Sequence, residues 1–186
     1  MNVSDYSDAI LNELHAVLSR VSREDAEAFA DTLLSANRVF VAGAGRSGLA
    51  AKAFAMRLMH FGIDAFVIGE TTTPNYGTDD VLVVCSGSGE TGSLVSIAAK
   101  AKQIGGKLAL ITIVPGSTIG KIADVCVRIP APSPKANAGQ VVSSIQPMGS
   151  LFEQGLFVFL DAIILALMER RKNDSANMFK KHANLE

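Results

Sequence analysis

Tryptophan is absent from the 186-residue sequence and tyrosine occurs only twice. So few flat rings leave little on which nucleobases could stack. Charge of one sign is missing too: 17 Lys and Arg stand against 18 Asp and Glu, for a net charge of −1. There is no excess of base from which to build the basic face that nucleic-acid binders carry. Cysteine is scarce, and Cys85 and Cys126 both lie inside apolar runs. That placement fits reduced core thiols better than a disulfide framework or a metal site. Long hydrophobic runs are lacking as well. The most apolar segment, Leu156 to Met168, is interrupted by Asp161 and is shorter than the ~20 residues that span a bilayer. The first ten residues, MNVSDYSDAI, are polar and acidic, unlike a signal peptide. These absences point to a soluble cytoplasmic protein with no nucleic-acid or membrane partner. With 48% hydrophobic and 19% charged residues, a chain of this length reads as one domain with a substantial core.

The sequence is organised around Val81 to Gly92, VLVVCSGSGETG. A continuous apolar run that ends in Gly and Ser is the signature of a strand buried on both faces of a parallel sheet. Leu94, Ile97, Ala98, Ala101 and Ile104 come next, at helical spacing. The turn therefore sits where a buried strand stops and a helix starts, and there the unpaired N–H groups and the helix dipole attract an anion. Ser86, Ser88, Thr91 and Ser93 add hydroxyls, while Gly87, Gly89 and Gly92 let the backbone approach closely. The turn contains no Lys, so it is not the nucleotide-triphosphate P-loop. It reads as a monophosphate cradle, or as an ordinary Gly/Ser turn that caps a helix.

Two amphipathic helices are predicted within residues 1–37. The first covers 5–20, and the second starts at Ser22 with Asp25 completing a capping box. Residues 38–129 alternate five short apolar strands with helices: Val39 to Ala42, Ala65 to Ile68, Val81 onward, Lys107 to Val114 and Val125 to Ile129. This is the pattern of a doubly wound α/β/α sandwich with a parallel sheet. A helix is predicted from about Ser47 to His60, and a short one from Ser117 to Ala123. Residues 130–149 are aperiodic and rich in Pro, Ala and Ser, as a lid or as a mobile connector. Residues 150–172 form a helix apolar on nearly every side, which suggests a subunit interface. Residues 173–186 are a polar tail.

GAGRSG, Gly43 to Gly48, matches the dinucleotide fingerprint G-x-G-x-x-G, with Glu70 in place of its ribose-binding acid. An NAD-binding domain is therefore one reading. Against it, two hydroxyl-bearing loops at adjacent strand ends converge on one crevice, which suits a small phosphorylated ligand. Together GAGRSG, SGSGET and PMGSLFEQGLFVFLDA resemble the sugar isomerase (SIS) domain superfamily. With RLMHFG and VIGETTTP, the finer pattern is similar to the 6-phospho-3-hexuloisomerases over nearly the whole chain. The resemblance implies the SIS fold and interconversion of 3-hexulose 6-phosphate with fructose 6-phosphate. It also implies a homotetramer that uses no metal or organic cofactor. Such enzymes act after a 3-hexulose-6-phosphate synthase that condenses formaldehyde with ribulose 5-phosphate. The rival from another class is a non-catalytic sugar-phosphate sensor on the same fold. A sensor of that kind is normally fused to a DNA-binding module, and no basic segment outside the fold offers one here.

Moving a carbonyl from C3 to C2 needs a base for the C2 proton and an acid that shuttles a proton between the two oxygens. Glu153, near the start of the apolar helix, is the candidate base, because a carboxylate in an apolar setting is tuned upward by burial. Its alternative is a carboxylate favoured by the helix dipole. His60 is the candidate for the oxygen-to-oxygen transfer, in its own or a neighbouring subunit's site, or else a cation at a helix C-terminus. The substrate-binding candidates are Gly45, Arg46, Ser47, Ser86, Gly87, Ser88, Gly89 and Thr91, with Glu70 and Thr71 for sugar hydroxyls. Arg46 pairs with an oxyanion or is a surface cation. Cys85 reads as core, Asp161 as an interface or buried-pair residue, and His15 and His182 as solvated.

Overall fold

In the computed structural model, which describes residues 2–132 and 143–185, the predicted strands form one five-stranded parallel sheet. The strands are β1 (Val39–Gly43), β2 (Ala65–Val67), β3 (Val81–Cys85), β4 (Lys107–Thr112) and β5 (Val125–Arg128), in the order β2-β1-β3-β4-β5. This is the doubly wound order whose switch point lies between β1 and β3, not the 3-2-1-4-5-6 order of the dinucleotide fold. In register, Val41 lies beside Val83 and Gly43 beside Cys85, so the two strands end level and their loops face each other.

Alternation along the strands divides the core in two. Val39, Val41, Val83, Ala109 and Ile111 face helices α1 (Val3–Leu18), α2 (Arg23–Ser35), α3 (Gly45–Phe61) and α5 (Ser150–Arg170). Phe40, Leu82, Val84, Leu108 and Leu110 face α4 (Gly92–Ile104) on the other side. A short α6 (Ser175–Phe179) comes after α5. The three-layer α/β/α architecture is thus as expected, with local differences. The reciprocal capping box belongs to Asn2 and Asp5 at α1. At α2, Ser22 simply accepts the Asp25 N–H. Helix α3 starts at Gly45, because a left-handed φ of 58° at that glycine lets the chain turn early. Only Gly120–Ile122 of the predicted Ser117–Ala123 helix is formed, as one 3-10 turn.

Helix α5 fills nearly all of the predicted 150–172 helix and so extends beyond the apolar segment Leu156 to Met168. Its 21 residues are long and apolar enough to cross a membrane, so length gives no argument against that. Packing does: Leu151, Phe152, Gly155, Leu156, Phe159, Leu160, Ile163, Ile164 and Leu167 are buried, against a core shared with α1, α2 and α3. Asp161 is exposed on this helix, which rules out the buried-pair reading within one chain.

One buried ion pair ties the entry of β1 to that of β3. Asp80, 1% exposed, accepts Arg38 Nε at 3.0 Å, Arg38 Nη2 at 2.7 Å and the Gly77 N–H at 2.7 Å. Burial pushes the Asp80 carboxyl up, but these hydrogen bonds and the Arg38 charge outweigh it and hold the group below the ordinary range. A carboxylate depressed in the folded state stabilises the fold above its unfolded pKa of about 4, and that contribution is lost as pH falls through the folded value. Asp80→Asn should therefore lower Tm at pH 7, with the gap to wild type closing as pH drops below about 4. A constant gap in thermal melts across that range would refute the assignment.

Candidate active site

The loops after β1 and β3 and the start of α5 enclose a cavity of about 480 Å³, a size typical of small-molecule sites. Its walls are Ala44, Gly45, Arg46 and Ser47 from the first loop, and Cys85, Ser86, Gly87, Ser88 and Thr91 from the second. Met148, Gly149, Phe152 and Glu153 come from α5 and its approach, with Leu94 and Ile113 behind.

Three helices begin at this cavity, and their starts differ from those of the other three. The N-termini of α1, α2 and α6 are capped by the side chains of Asn2, Ser22 and Asp174. Those of α3, α4 and α5 have Ala44, Thr91 and Gly149 at the cap position and no side-chain cap bond. The orphan N–H groups that a cap would satisfy, and the positive dipole ends, are left facing one pocket. That is the arrangement an anion completes.

The second turn is held in shape by its own groups. Ser86 Oγ accepts the Gly89 N–H at 3.1 Å, and Ser88 Oγ accepts the Glu90 N–H at 3.2 Å. Each hydroxyl keeps its hydrogen to donate outward. Thr112 Oγ1 donates to the Gly87 carbonyl at 3.0 Å, and Glu90 accepts the Thr118 N–H at 2.7 Å. Gly89 takes a φ of 64°, against Ser117, so no side chain fits there. Cys85 is fully buried beneath the turn, and burial pushes its thiol up to about 12. It is a core group, not a nucleophile.

Glu153 is the one carboxylate among the residues lining the cavity. It sits in the first turn of α5, next to the buried ring of Phe152, and accepts Arg46 Nε at 2.6 Å. The carboxylate is thus paired rather than isolated among apolar groups, and Arg46, 58% exposed, is the mobile partner of the two. Among the described residues no cluster of three His, Cys, Asp or Glu is placed to hold a metal ion.

Of the sequence candidates, Gly45, Arg46, Ser47, Ser86, Gly87, Ser88, Thr91 and Glu153 meet in this cavity, and Gly89 shapes it from behind. Three do not reach it within one chain. Glu70 lies on the surface 3.6 Å from Lys52, and Thr71 is exposed beside it. His60 is buried at the far end of α3, ~22 Å along the helix from Gly45. There it lines a separate cavity of about 500 Å³ with Arg57, Asp161, Leu165 and His182. Burial, then the charges of Arg57 and His182, push the His60 imidazole below its ordinary pKa. This favours the neutral ring over the helix-end cation. His182 is exposed but not merely solvated, since it stacks on His60 with centroids 5.4 Å apart. Sequence reasoning missed Phe152, Met148 and Gly149 as walls, although all three lie inside the quoted PMGSLFEQG stretch. The lid reading of residues 130–149 falls partly on 133–142, outside the described residues.

A family model described as the SIS domain matches residues 32–157. The chain is 52% identical over 186 residues to the 3-hexulose-6-phosphate isomerase of Bacillus subtilis (strain 168), covering 100% of both proteins. It is 40% identical over 185 residues to the protein of the same name from Mycobacterium gastri, covering 100% of this chain and 92% of that one. Among solved structures, it matches a Methanococcus jannaschii protein with a TM-score of 0.85 and 33% identity, over 98% of this chain and 99% of that one. That crystal structure was described as inferring a function of 3-hexulose-6-phosphate isomerase.

Proposed function

The chain belongs to the SIS domain family, as one of its sugar-phosphate isomerases, and we propose that it interconverts 3-hexulose 6-phosphate and fructose 6-phosphate. The observation that carries the reading is a single cavity holding both parts of the chemistry. The uncapped N-termini of α3 and α4 with the Ser47, Ser86, Ser88 and Thr91 hydroxyls take the phosphate, and Glu153, in the first turn of α5, stands on the wall that α5 contributes.

With the phosphate held, Arg46 turns from Glu153 toward the anion or the sugar oxygens. The open-chain ketose presents C2, and Glu153 removes its proton to give the cis-enediol. The proton on O2 passes to O3, and Glu153 returns its own proton at C3, leaving the carbonyl at C2. No atom is gained or lost. His60 carries the oxygen-to-oxygen proton in a neighbouring subunit's site, as a neutral imidazole suited to both accepting and donating. The assembly is a homotetramer in the cytoplasm. What supports association is the apolar surface that one chain leaves bare on α3 and α5: Leu49 is 66% and Leu165 65% exposed, and Met56, Met59, Phe157 and Val158 are exposed on the same two helices. Phosphorylated hexulose arrives from a 3-hexulose-6-phosphate synthase that fixes formaldehyde. Glu70 and Thr71, away from the cavity of their own chain, reach sugar hydroxyls only across that interface.

The test is a coupled assay that follows fructose 6-phosphate formed from enzymatically generated 3-hexulose 6-phosphate, in the presence of a chelator and in D2O. Turnover should persist with chelator, and deuterium should enter the product at C3 only in the fraction of turnovers in which the proton on Glu153 exchanges with solvent before it is returned. Tight binding of fructose 6-phosphate without turnover would sink the isomerase and leave a sugar-phosphate sensor.

A further inference from the structure

The wall that carries Glu153 is held from outside the SIS domain. Glu13, on α1, lies beyond the 32–157 segment that the family model covers. Its carboxylate gathers three hydrogen bonds from one short stretch on the far side of the sequence. Oε2 accepts Ser144 Oγ at 2.7 Å and Gln146 Nε2 at 2.9 Å, and Oε1 accepts the Ile145 N–H at 2.8 Å. Ser144 Oγ also accepts the Gln146 N–H at 3.0 Å, so the stretch is tied internally as well. A carboxylate taking a backbone and two side-chain donors at once fixes both the position and the rotation of the segment it grips.

The cavity wall comes directly after that stretch. The Pro147 carbonyl accepts the Ser150 N–H and the Gly149 carbonyl accepts the Glu153 N–H, which start α5. Between them Met148, a wall residue 77% exposed, sits at a φ of 53°. A non-glycine residue stays in that left-handed region only where its surroundings over-determine it. No packing of the Met148 side chain does so, because it is largely exposed. Two restraints flank it: the Glu13 clamp, which ends one residue before Pro147, and the turn closed by the Pro147 carbonyl on the Ser150 N–H.

We propose that Glu13 is a positioning residue for the isomerase site, setting the Met148–Gly149 wall and the first turn of α5 that presents Glu153. The role rests on the reading of Glu153 as the base. It separates the two halves of the cavity: the phosphate cradle of residues 45–47 and 86–91 is built without Glu13, whereas the sugar-facing wall depends on it.

The experiment measures Glu13→Ala alongside Ser144→Ala/Gln146→Ala, which cuts two of the three bonds from the other end and leaves α1 intact. Titration calorimetry with inorganic phosphate and with fructose 6-phosphate is paired with steady-state kinetics. Phosphate affinity should stay within about 2-fold, fructose 6-phosphate should bind about 10-fold more weakly, and kcat/KM should fall about 10-fold or more. Combining the variants should add less than about 2-fold, because both break one clamp. Unchanged sugar-phosphate binding and kcat/KM would overturn the proposal, as would equal losses for phosphate and sugar phosphate. If Glu13→Ala does not fold, the Ser144/Gln146 pair decides by the same two criteria. The calorimetry reads the wall whether or not the wild type turns over, so failure of the clamp and failure of the isomerase reading remain distinct.

Discussion

Replacing Glu153 by Gln should lower kcat about 10³-fold, the scale of a positioned general base, while phosphate affinity stays near wild type. The amide keeps the shape of the side chain and an oxygen that can accept Arg46 Nε, now 2.6 Å from the carboxylate. What it loses is the ability to take a proton from carbon. Fold stability should hardly change, because the pair is partly exposed, with Arg46 58% and Glu153 21% accessible, and such pairs contribute little. KM should move less than kcat, the signature of an interaction made mainly in the transition state. The variant also probes where His60 works. If each site takes Glu153 from one chain and His60 from its neighbour, mixing inactive Glu153→Gln with inactive His60→Ala and letting subunits exchange should restore part of the activity. A site lying within one chain would stay dead in every mixture. Activity of Glu153→Gln within about 10-fold of wild type would move the base elsewhere, since base catalysis alone is worth more.

The fold was readable because its signals are local and repeated. Val39–Gly43, Val81–Cys85 and Lys107–Thr112 are apolar runs that only a doubly covered sheet can bury. The two loops that line the cavity were readable for the same reason, since strand, glycine turn and helix start are contiguous in SGSGET and GAGRSG. Glu153 stood out as a carboxylate opening an apolar helix. What the sequence hid was set by distance. His60 and Gly45 belong to one helix, and periodicity places them on it without saying that its ends serve different cavities. Glu13 carries no local mark at all, since a half-buried Glu on an amphipathic helix is ordinary. Its role arises from donors more than 130 residues away. The capping difference between α1, α2 and α6 on one side and α3, α4 and α5 on the other was visible in principle. Ala44 is a poor cap residue and Gly149 has no side chain to accept an N–H, so both leave helix-start donors free for a ligand.

Gly48→Ala should lower both stability and phosphate affinity through one added methyl group. A Cβ at Gly48 would stand 2.7 Å from the Gly43 carbonyl oxygen, and one at Gly43 would stand 2.9 Å from Gly48 Cα. Both obstacles are backbone, so no rotamer relieves them, and α3 must lift off the end of β1. Overpacking of this kind costs about 3 kcal/mol, or a Tm lower by roughly 6–12 °C in a chain of this size. Because α3 starts at Gly45, three residues before the clash, its uncapped N–H groups move with it. Inorganic phosphate should then bind at least about 10-fold more weakly, because the start of α3 is one of the two helix ends that form the phosphate cradle. Gly92→Ala is the control: a Cβ there meets nothing within 4 Å, and Ala at a helix start should leave Tm unchanged or raise it by a small amount. Equal melting of Gly48→Ala and wild type would mean that α3 is not seated as close to β1 as the structure has it. The same contact explains why GAGRSG also satisfies the dinucleotide fingerprint. The last glycine of that fingerprint permits close packing of helix on strand, a need that any parallel sheet meeting an anion at a helix end will share. Gly48 is therefore evidence of the packing and not of a dinucleotide.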